Sequence, residues 1–220
     1  MHPSVTIVIL NYNRAELLPR ALRSCLSQIV VRRQIEIIVV DDASTDNSTS
    51  VVKQFDPDIV LIENEKNLGP GASSQKALEA SSTDYWVRVD SDDFLSPFAC
   101  GYMAELLDVN PQVDYVYSDF YRIDAKGYKQ ELFRLEDFDQ HIEHGAGVLF
   151  RRKALIDVGG YDPGLRHWED MDLLLRFAVG SRKGFHLPVP LYRYYQHESN
   201  ISNTPERVRL RREVRSRYGR

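Results

Sequence analysis

The chain has 220 residues, 43% of them hydrophobic and 27% charged, with 28 Lys and Arg against 32 Asp and Glu for a net charge of −4. This length suits one domain with its own core, and a mean hydropathy of −0.39 without any run of about 18 apolar residues excludes a membrane-spanning helix. Cys25 and Cys100 stand far apart, and no CxxC or Cys/His cluster suggests zinc; two small buried hydrophobes in a reducing compartment are expected.

The net charge disfavours nucleic acid as a partner. Met1-His2-Pro3-Ser4-Val5 shows no signal-peptide pattern, so a cytoplasmic location is expected. Val5-Thr6-Ile7-Val8-Ile9-Leu10 is an apolar, β-branched run of the kind buried on both faces of a sheet. After Asn11-Tyr12-Asn13-Arg14, apolar residues recur at Leu18, Leu22, Cys25, Leu26 and Ile29, the spacing of a helix with Pro19 in its first turn. A second strand over 35–40 ends in Asp41-Asp42, and Ser44-Thr45-Asp46-Asn47-Ser48 opens a helix running to about residue 55. A third strand over 59–62 leads through Asn67-Leu68-Gly69-Pro70-Gly71 into a helix to about residue 80. The fourth, over 85–89, ends in Asp90-Ser91-Asp92-Asp93.

Strands alternating with helices predict βαβ units and a mostly parallel sheet, an α/β fold whose ligands bind beyond the carboxyl ends of the strands. Asn11-Tyr12-Asn13, Asp41-Asp42 and Asp90-Ser91-Asp92-Asp93 all fall at that edge. The later chain is less regular, with strands expected over 113–120, 128–133, 147–150 and 191–195. Helices are expected over 97–110, 152–158 and 169–179. No repeat or linker divides it.

Asp90, Asp92 and Asp93 crowd three carboxylates into four residues. Mg²⁺ or Mn²⁺ bridged to substrate phosphates relieves such crowding, while Asp and Ser equally suit an acidic turn. Trp168-Glu169-Asp170-Met171-Asp172 starts an amphipathic helix, where acids are favoured by the helix dipole whether or not they are catalytic.

With Val8-Ile9-Leu10-Asn11-Tyr12-Asn13-Arg14, Ile38-Val39-Val40-Asp41-Asp42-Ala43-Ser44-Thr45-Asp46, Asp90-Ser91-Asp92-Asp93, Gly159-Gly160-Tyr161-Asp162 and Glu169-Asp170-Met171-Asp172-Leu173 in that order, the chain resembles glycosyltransferase family 2 over about residues 5–202. The resemblance implies a GT-A fold, with residues 1–203 forming the domain. Residues 1–95 would be a Rossmann-like half for a nucleotide-sugar donor, probed by Asn11, Tyr12, Asn13, Asp41, Asp42, Asp90 and Ser91. Tyr12 would pack on the base, Asp42 would bond its ring and Asp90 would lie near the ribose. Asp92, with Asp93 and the late His197, would hold Mn²⁺ or Mg²⁺ on the diphosphate. Residues 96–203 would bind a saccharide or lipid-linked acceptor, with Asp170 as general base and Glu169 beside it. UDP is the family's usual nucleotide, and polysaccharide or glycolipid synthesis its usual setting. His144-Gly145-Ala146-Gly147 offers a close approach to the reacting sugar through Gly145 and Ala146, or a plain turn. Trp168 offers an aromatic face for the acceptor, or a core residue. Two departures bear on the donor: Ser73-Ser74-Gln75 stands where the family often has Ala-Arg-Asn, and Tyr195 where a basic residue is common.

The implied chemistry is one inverting displacement. A metal on the diphosphate offsets the leaving charge, so a single carboxylate base suffices. A GT-A-shaped binding protein without turnover and a nucleotidyltransferase are the alternatives; the latter would carry a glycine-rich basic loop that Asn11-Tyr12-Asn13-Arg14 lacks. Charge is uneven, since residues 204–220 hold seven Arg and two Glu, leaving a net of −9 on the rest. Such a tail suits a solvated terminal helix, or contact with anionic lipid at the inner face of a membrane.

Overall fold

The computed structural model describes residues 4–55, 59–135, 137–197 and 205–219. The four expected strands form as β1 (Val5–Asn11), β2 (Ile35–Asp41), β3 (Val60–Glu63) and β4 (Tyr85–Asp90), all parallel, in the spatial order β3-β2-β1-β4. Because β1 lies between β2 and β4, strand order reverses at β1, where a crevice opens in such sheets. Register does the rest: Asn11 lies opposite Asp41, and Leu10 opposite Asp90. The polar strand ends therefore emerge side by side.

The continuous apolar runs are explained by burial on both faces. Val5, Ile7 and Ile9 join one core with Leu18, Leu22 and Cys25 of α1 (Leu18–Leu26) and with Cys100, Met103 and Leu107 of α4 (Ala99–Val109). Val8, Ile38 and Trp86 enter a second core with Ala77 and Leu78 of α3 (Pro70–Ala80). That core also takes Leu155 of α6 (Arg152–Asp157) and Met171, Leu174 and Phe177 of α7 (Glu169–Val179). The sheet is thus sandwiched between two helical layers. Helix α1 stops before Ile29, although the spacing continues, because Ile29 N–H donates to Pro97 O at 2.7 Å. Helix α2 (Ser48–Lys53) is likewise shorter than expected.

Beyond β4 the sheet continues as β4-β8-β6-β9-β5, with β7 also on β6. These strands are β5 (Phe94–Leu95), β6 (Tyr115–Ile123), β7 (Lys129–Phe133), β8 (Leu149–Arg151) and β9 (Gly184–Tyr195). β8 runs antiparallel to both neighbours, whereas the long β6–β9 pairing is parallel. Three features differ from expectation. β5 has only two residues. Helix α5 (Phe138–Ile142) is too short for a periodic pattern, and Asp137 caps it by accepting from Gln140 N–H at 2.7 Å. β9 begins at Gly184 rather than 191, and its Pro188 and Pro190 are absorbed where the β6 register shifts around Asp119.

The basic tail forms α8 (Pro205–Ser216), docked through buried Val214 on the second core. Arg211 pairs with Glu143, Arg215 with Asp139 at 3.2 Å, and Arg217 with Asp162 at 3.5 Å. Tyr218 donates to Asp172 of α7 at 2.7 Å. Among the described residues, no helix is long and apolar enough to cross a membrane.

Candidate active site

The loops after β1 and β2 interlock. Asp41 is buried, accepting from Asn11 Nδ2 at 2.8 Å and Ser44 N–H at 2.9 Å. Asn13 N–H donates to Ser44 Oγ at 2.9 Å, and Asn13 Oδ1 accepts from Thr45 N–H at 2.7 Å. Asp42 turns inward to Asn64 Nδ2, Leu68 N–H and Gly69 N–H, each at 2.8 Å, tying β2 to the start of α3. Tyr12 is left 46% exposed above this frame. Asn13 and Ala43 here, and Trp168 across the cleft, adopt left-handed backbone at φ 52°, 63° and 61°. For residues with a Cβ such conformations persist only where surrounding contacts impose them.

The acidic turn closes by a bond from Asp93 N–H to Asp90 O at 3.0 Å, with Ser91 buried inside it. Its three carboxylates have different surroundings. Asp93 is 1% exposed and accepts from Tyr192 OH at 2.8 Å and Tyr195 N–H at 2.7 Å. Burial, and then the charges of Asp92 and Asp90, push its carboxyl well above the usual range. Asp92 faces the cleft, with its Oδ2 3.0 Å from His197 Nε2 and 3.6 Å from Arg14 Nε. Arg20 Nη2 donates to Asp92 O at 2.7 Å. Asp90 lies 3.5 Å from Arg88 Nε.

A divalent metal fits only part of this set. Among the described residues no three His, Cys, Asp or Glu side chains are gathered as ligands. Asp92 and His197 form a half-site of one hard oxygen and one nitrogen. Mg²⁺ and Mn²⁺ commonly complete such a half-site with substrate phosphates and water.

Glu169 and Asp170 form the first turn of α7, and Trp168, preceding them, is buried in the second core. Glu169 is buried against Arg88, with Nη1 to Oε1 at 2.6 Å. Burial raises its carboxyl and Arg88 opposes that rise, with the balance upward. Asp170 Oδ2 accepts from Gly145 N–H at 3.2 Å and lies 3.8 Å from Arg88 Nη2. Gly145 is thus a packing neighbour of Asp170, and a Cβ there would collide with the Asp170 side chain. Ala146 is buried beside it, and Gly147, at φ 73°, lies flat against the Tyr192 ring.

The donor- and metal-side residues expected from sequence gather along the strand-end edge and Glu169 and Asp170 at the facing start of α7, whereas Trp168 and Ala146 lie in the two cores and Gly145 packs on Asp170 from the loop before β8. Sequence reasoning missed Arg88, Arg14 and Arg20. The available signal for Arg88 was a charge inside an otherwise apolar strand, which needs a buried acidic partner. At the departures noted above, Gln75 Oε1 accepts from Tyr161 N–H at 2.9 Å, while Lys76 donates to Asn64 at 2.8 Å.

A GT-A architecture with paired acidic segments facing across the strand ends defines the class. Residues 6–159 match the family model described as glycosyl transferase family 2. The chain belongs to that family. It is 30% identical to the succinoglycan biosynthesis protein ExoO of Rhizobium meliloti over 91% of this chain and 63% of that protein. Its fold superposes on Staphylococcus aureus TarS 1–349 in complex with UDP-GlcNAc with a TM-score of 0.80 at 20% identity, covering 96% of this chain and 65% of that one. Against the mannosyltransferase PcManGT of Pyrobaculum calidifontis, in complex with GDP-Man and Mn²⁺, the TM-score is 0.72 at 19% identity, covering 99% and 62%. The chain therefore spans roughly two thirds of the length of the relatives it matches.

Proposed function

We propose that the chain transfers a sugar from a nucleotide-sugar donor to an acceptor hydroxyl with inversion, using Asp170 as the general base. One observation carries this reading: Asp90 on the donor side and Asp170 on the acceptor side lie 3.5 and 3.8 Å from one guanidinium. A base held that near the donor segment can take the proton of a hydroxyl attacking the donor's reacting carbon. One carboxylate suffices, unlike hydrolysis of a glycosidic bond, where an acid must also protonate the leaving oxygen.

In this reading residues 1–95 hold the donor. Tyr12 stacks on the base, and Asn11, Asn13, Asp41 and Asp42 brace the loops that frame it. Asp90 and buried Ser91 shape the ribose side. Asp92 and His197 hold Mn²⁺ or Mg²⁺, which when bound offsets charge on the diphosphate. Asp93 holds the turn against β9. Residues 96–203 present the acceptor, with Gly145 N–H bracing Asp170 and Ala146 buried beside it. The names of ExoO and TarS's bound UDP-GlcNAc support a UDP-sugar and a saccharide product; PcManGT's GDP-Man supports a guanosine donor as the second choice. Of the described tail arginines, 211, 215 and 217 pair with acids of the body and Arg209 pairs within the helix with Glu213 at 3.6 Å, while Arg212 is exposed for any lipid headgroup.

A thermal-shift screen of UDP- and GDP-sugars with Mn²⁺ or Mg²⁺, followed by assay of nucleoside diphosphate release, tests the reading. Stabilisation by one sugar nucleotide only with metal, and its turnover, is the expected result. Binding without turnover for every donor and acceptor would favour a non-catalytic binding protein.

A further inference from the structure

Arg88 lies in β4 between Val87 and Val89, both fully buried, and is itself only 4% exposed. Taking a guanidinium out of water there is unfavourable unless it is paired, and an apolar side chain would pack more readily. Packing alone does not explain it. Its three nitrogens face carboxylates from two separate segments: Nε faces Asp90, Nη1 faces Glu169 and Nη2 faces Asp170. A structural ion pair needs one partner.

The main chain repeats the connection. Arg88 O accepts from Gly147 N–H at 2.9 Å, anchoring the loop whose Gly145 N–H donates to Asp170. Side chain and loop together thus bear on Asp170 Oδ2 from this strand residue, while Asp170 Oδ1 accepts from Met171 N–H at 2.8 Å within its own helix turn. The planar fork matters, because a lysine ammonium is a point charge that cannot face three acids in fixed directions.

We propose that Arg88 is the positioning residue of the transfer step, holding Asp170 in line with the donor while its fork registers the acceptor-side helix against Asp90. The inference rests on Asp170 being the base. It requires that Arg88 act on rate through Asp170 and leave nucleotide affinity almost untouched.

A double-mutant cycle tests this. Nucleoside diphosphate release is measured with Mn²⁺ and whichever of UDP-GlcNAc or GDP-mannose the chain turns over, for wild type, Arg88→Lys, Asp170→Asn and the double variant. The Kd for the matching nucleoside diphosphate with Mn²⁺ and the melting temperature are measured beside it. Arg88→Lys is expected to lower kcat by about 10²-fold, the scale of an ångström's misplacement, with KM for donor and Kd within about threefold. In the Asp170→Asn background it should lower kcat by less than about threefold, because residues acting as one unit are non-additive. Wild-type kcat in Arg88→Lys, or an equal loss in both backgrounds, overturns the proposal. If Arg88→Lys fails to fold, Glu169→Gln removes the closest partner of the fork and runs the same cycle, with a loss confined to the Asp170 background expected and an additive loss overturning. Asp170→Asn with full turnover overturns the base assignment and this inference with it; an inactive Asp170→Asn with an additive Arg88→Lys overturns this inference alone.

Discussion

The two sides of the cleft are built by different means. On the donor side, β1, β2 and β4 run parallel in continuous register, so Asn11, Asp41 and Asp90 reach the edge by counting along the strands. On the acceptor side, Glu169, Asp170 and Gly145 come from a helix start and a loop, joined by a three-residue strand and a six-residue helix. A site carried on regular strands inherits its geometry from the core. One carried on loops needs its own fasteners, and here these are Arg88, the glycine contact and the docked α8. Substitutions in the packed strands should therefore be read mainly in stability, and those at the contacts that fasten Asp170 mainly in rate.

The largest effect should come from Asp170→Asn, with transfer falling about 10²–10⁴-fold. Nucleoside diphosphate binding, measured by calorimetry with Mn²⁺, should stay near wild type; a parallel loss of binding would erase the division between the sides. Trp86→Ala comes next, since Trp86 is fully buried and packs on Tyr161 with ring centroids 5.4 Å apart. Urea unfolding should show about 3–5 kcal/mol of lost stability, with residual transfer proportional to the folded fraction. Gly145→Ala should lower kcat by about 10²-fold through displacement of Asp170, with little change in melting temperature.

His141 sharpens the contrast in another way. It is fully buried and stacks on Tyr117 with ring centroids 3.6 Å apart, and burial, then His144 and His186, pull its pKa from 6.5 down to about 3. The unfolded chain takes up this proton first, so stability is complete above about pH 6.5 and is lost as pH falls toward 3. Between pH 7 and pH 5 the loss should be about 2 kcal/mol, and His141→Phe should remove that portion of the pH dependence in urea titrations. The smallest effect belongs to Tyr218→Phe, which deletes one hydrogen bond to Asp172 and should cost about 1 kcal/mol in the same assay.

Legibility in the sequence follows the same division. β1 to β4 are readable because β-branched runs buried on both faces have few other uses, and the acids closing β2 and β4 mark the site. α7 is readable to the residue, from its acidic first turn and apolar spacing. β9 is only half visible, because Pro188 and Pro190 argue against a strand unless the bulge within β9 itself is known. β5 and α5 are shorter than any periodicity can register. The meeting of His197 with Asp92, 105 residues apart, comes from the family resemblance rather than from local pattern. Arg88 is obscured for a different reason: one charge in a strand ordinarily signals a solvent-facing position, and its three partners are fixed only in the folded chain.

The docking of α8 makes ionic strength a variable of the acceptor side. Its pairs with Glu143, Asp139 and Asp162 are partly exposed, and such pairs weaken as the screening length shrinks from about 10 Å at 0.1 M salt to about 3 Å at 1 M. The hydrogen bond to Asp172 and the Val214 contact are less sensitive, so salt should loosen the end of α8 before releasing it. Since Asp172 lies two residues beyond Asp170, buffer composition reaches toward the chemistry through this helix, while the strand-borne donor side remains comparatively indifferent to it.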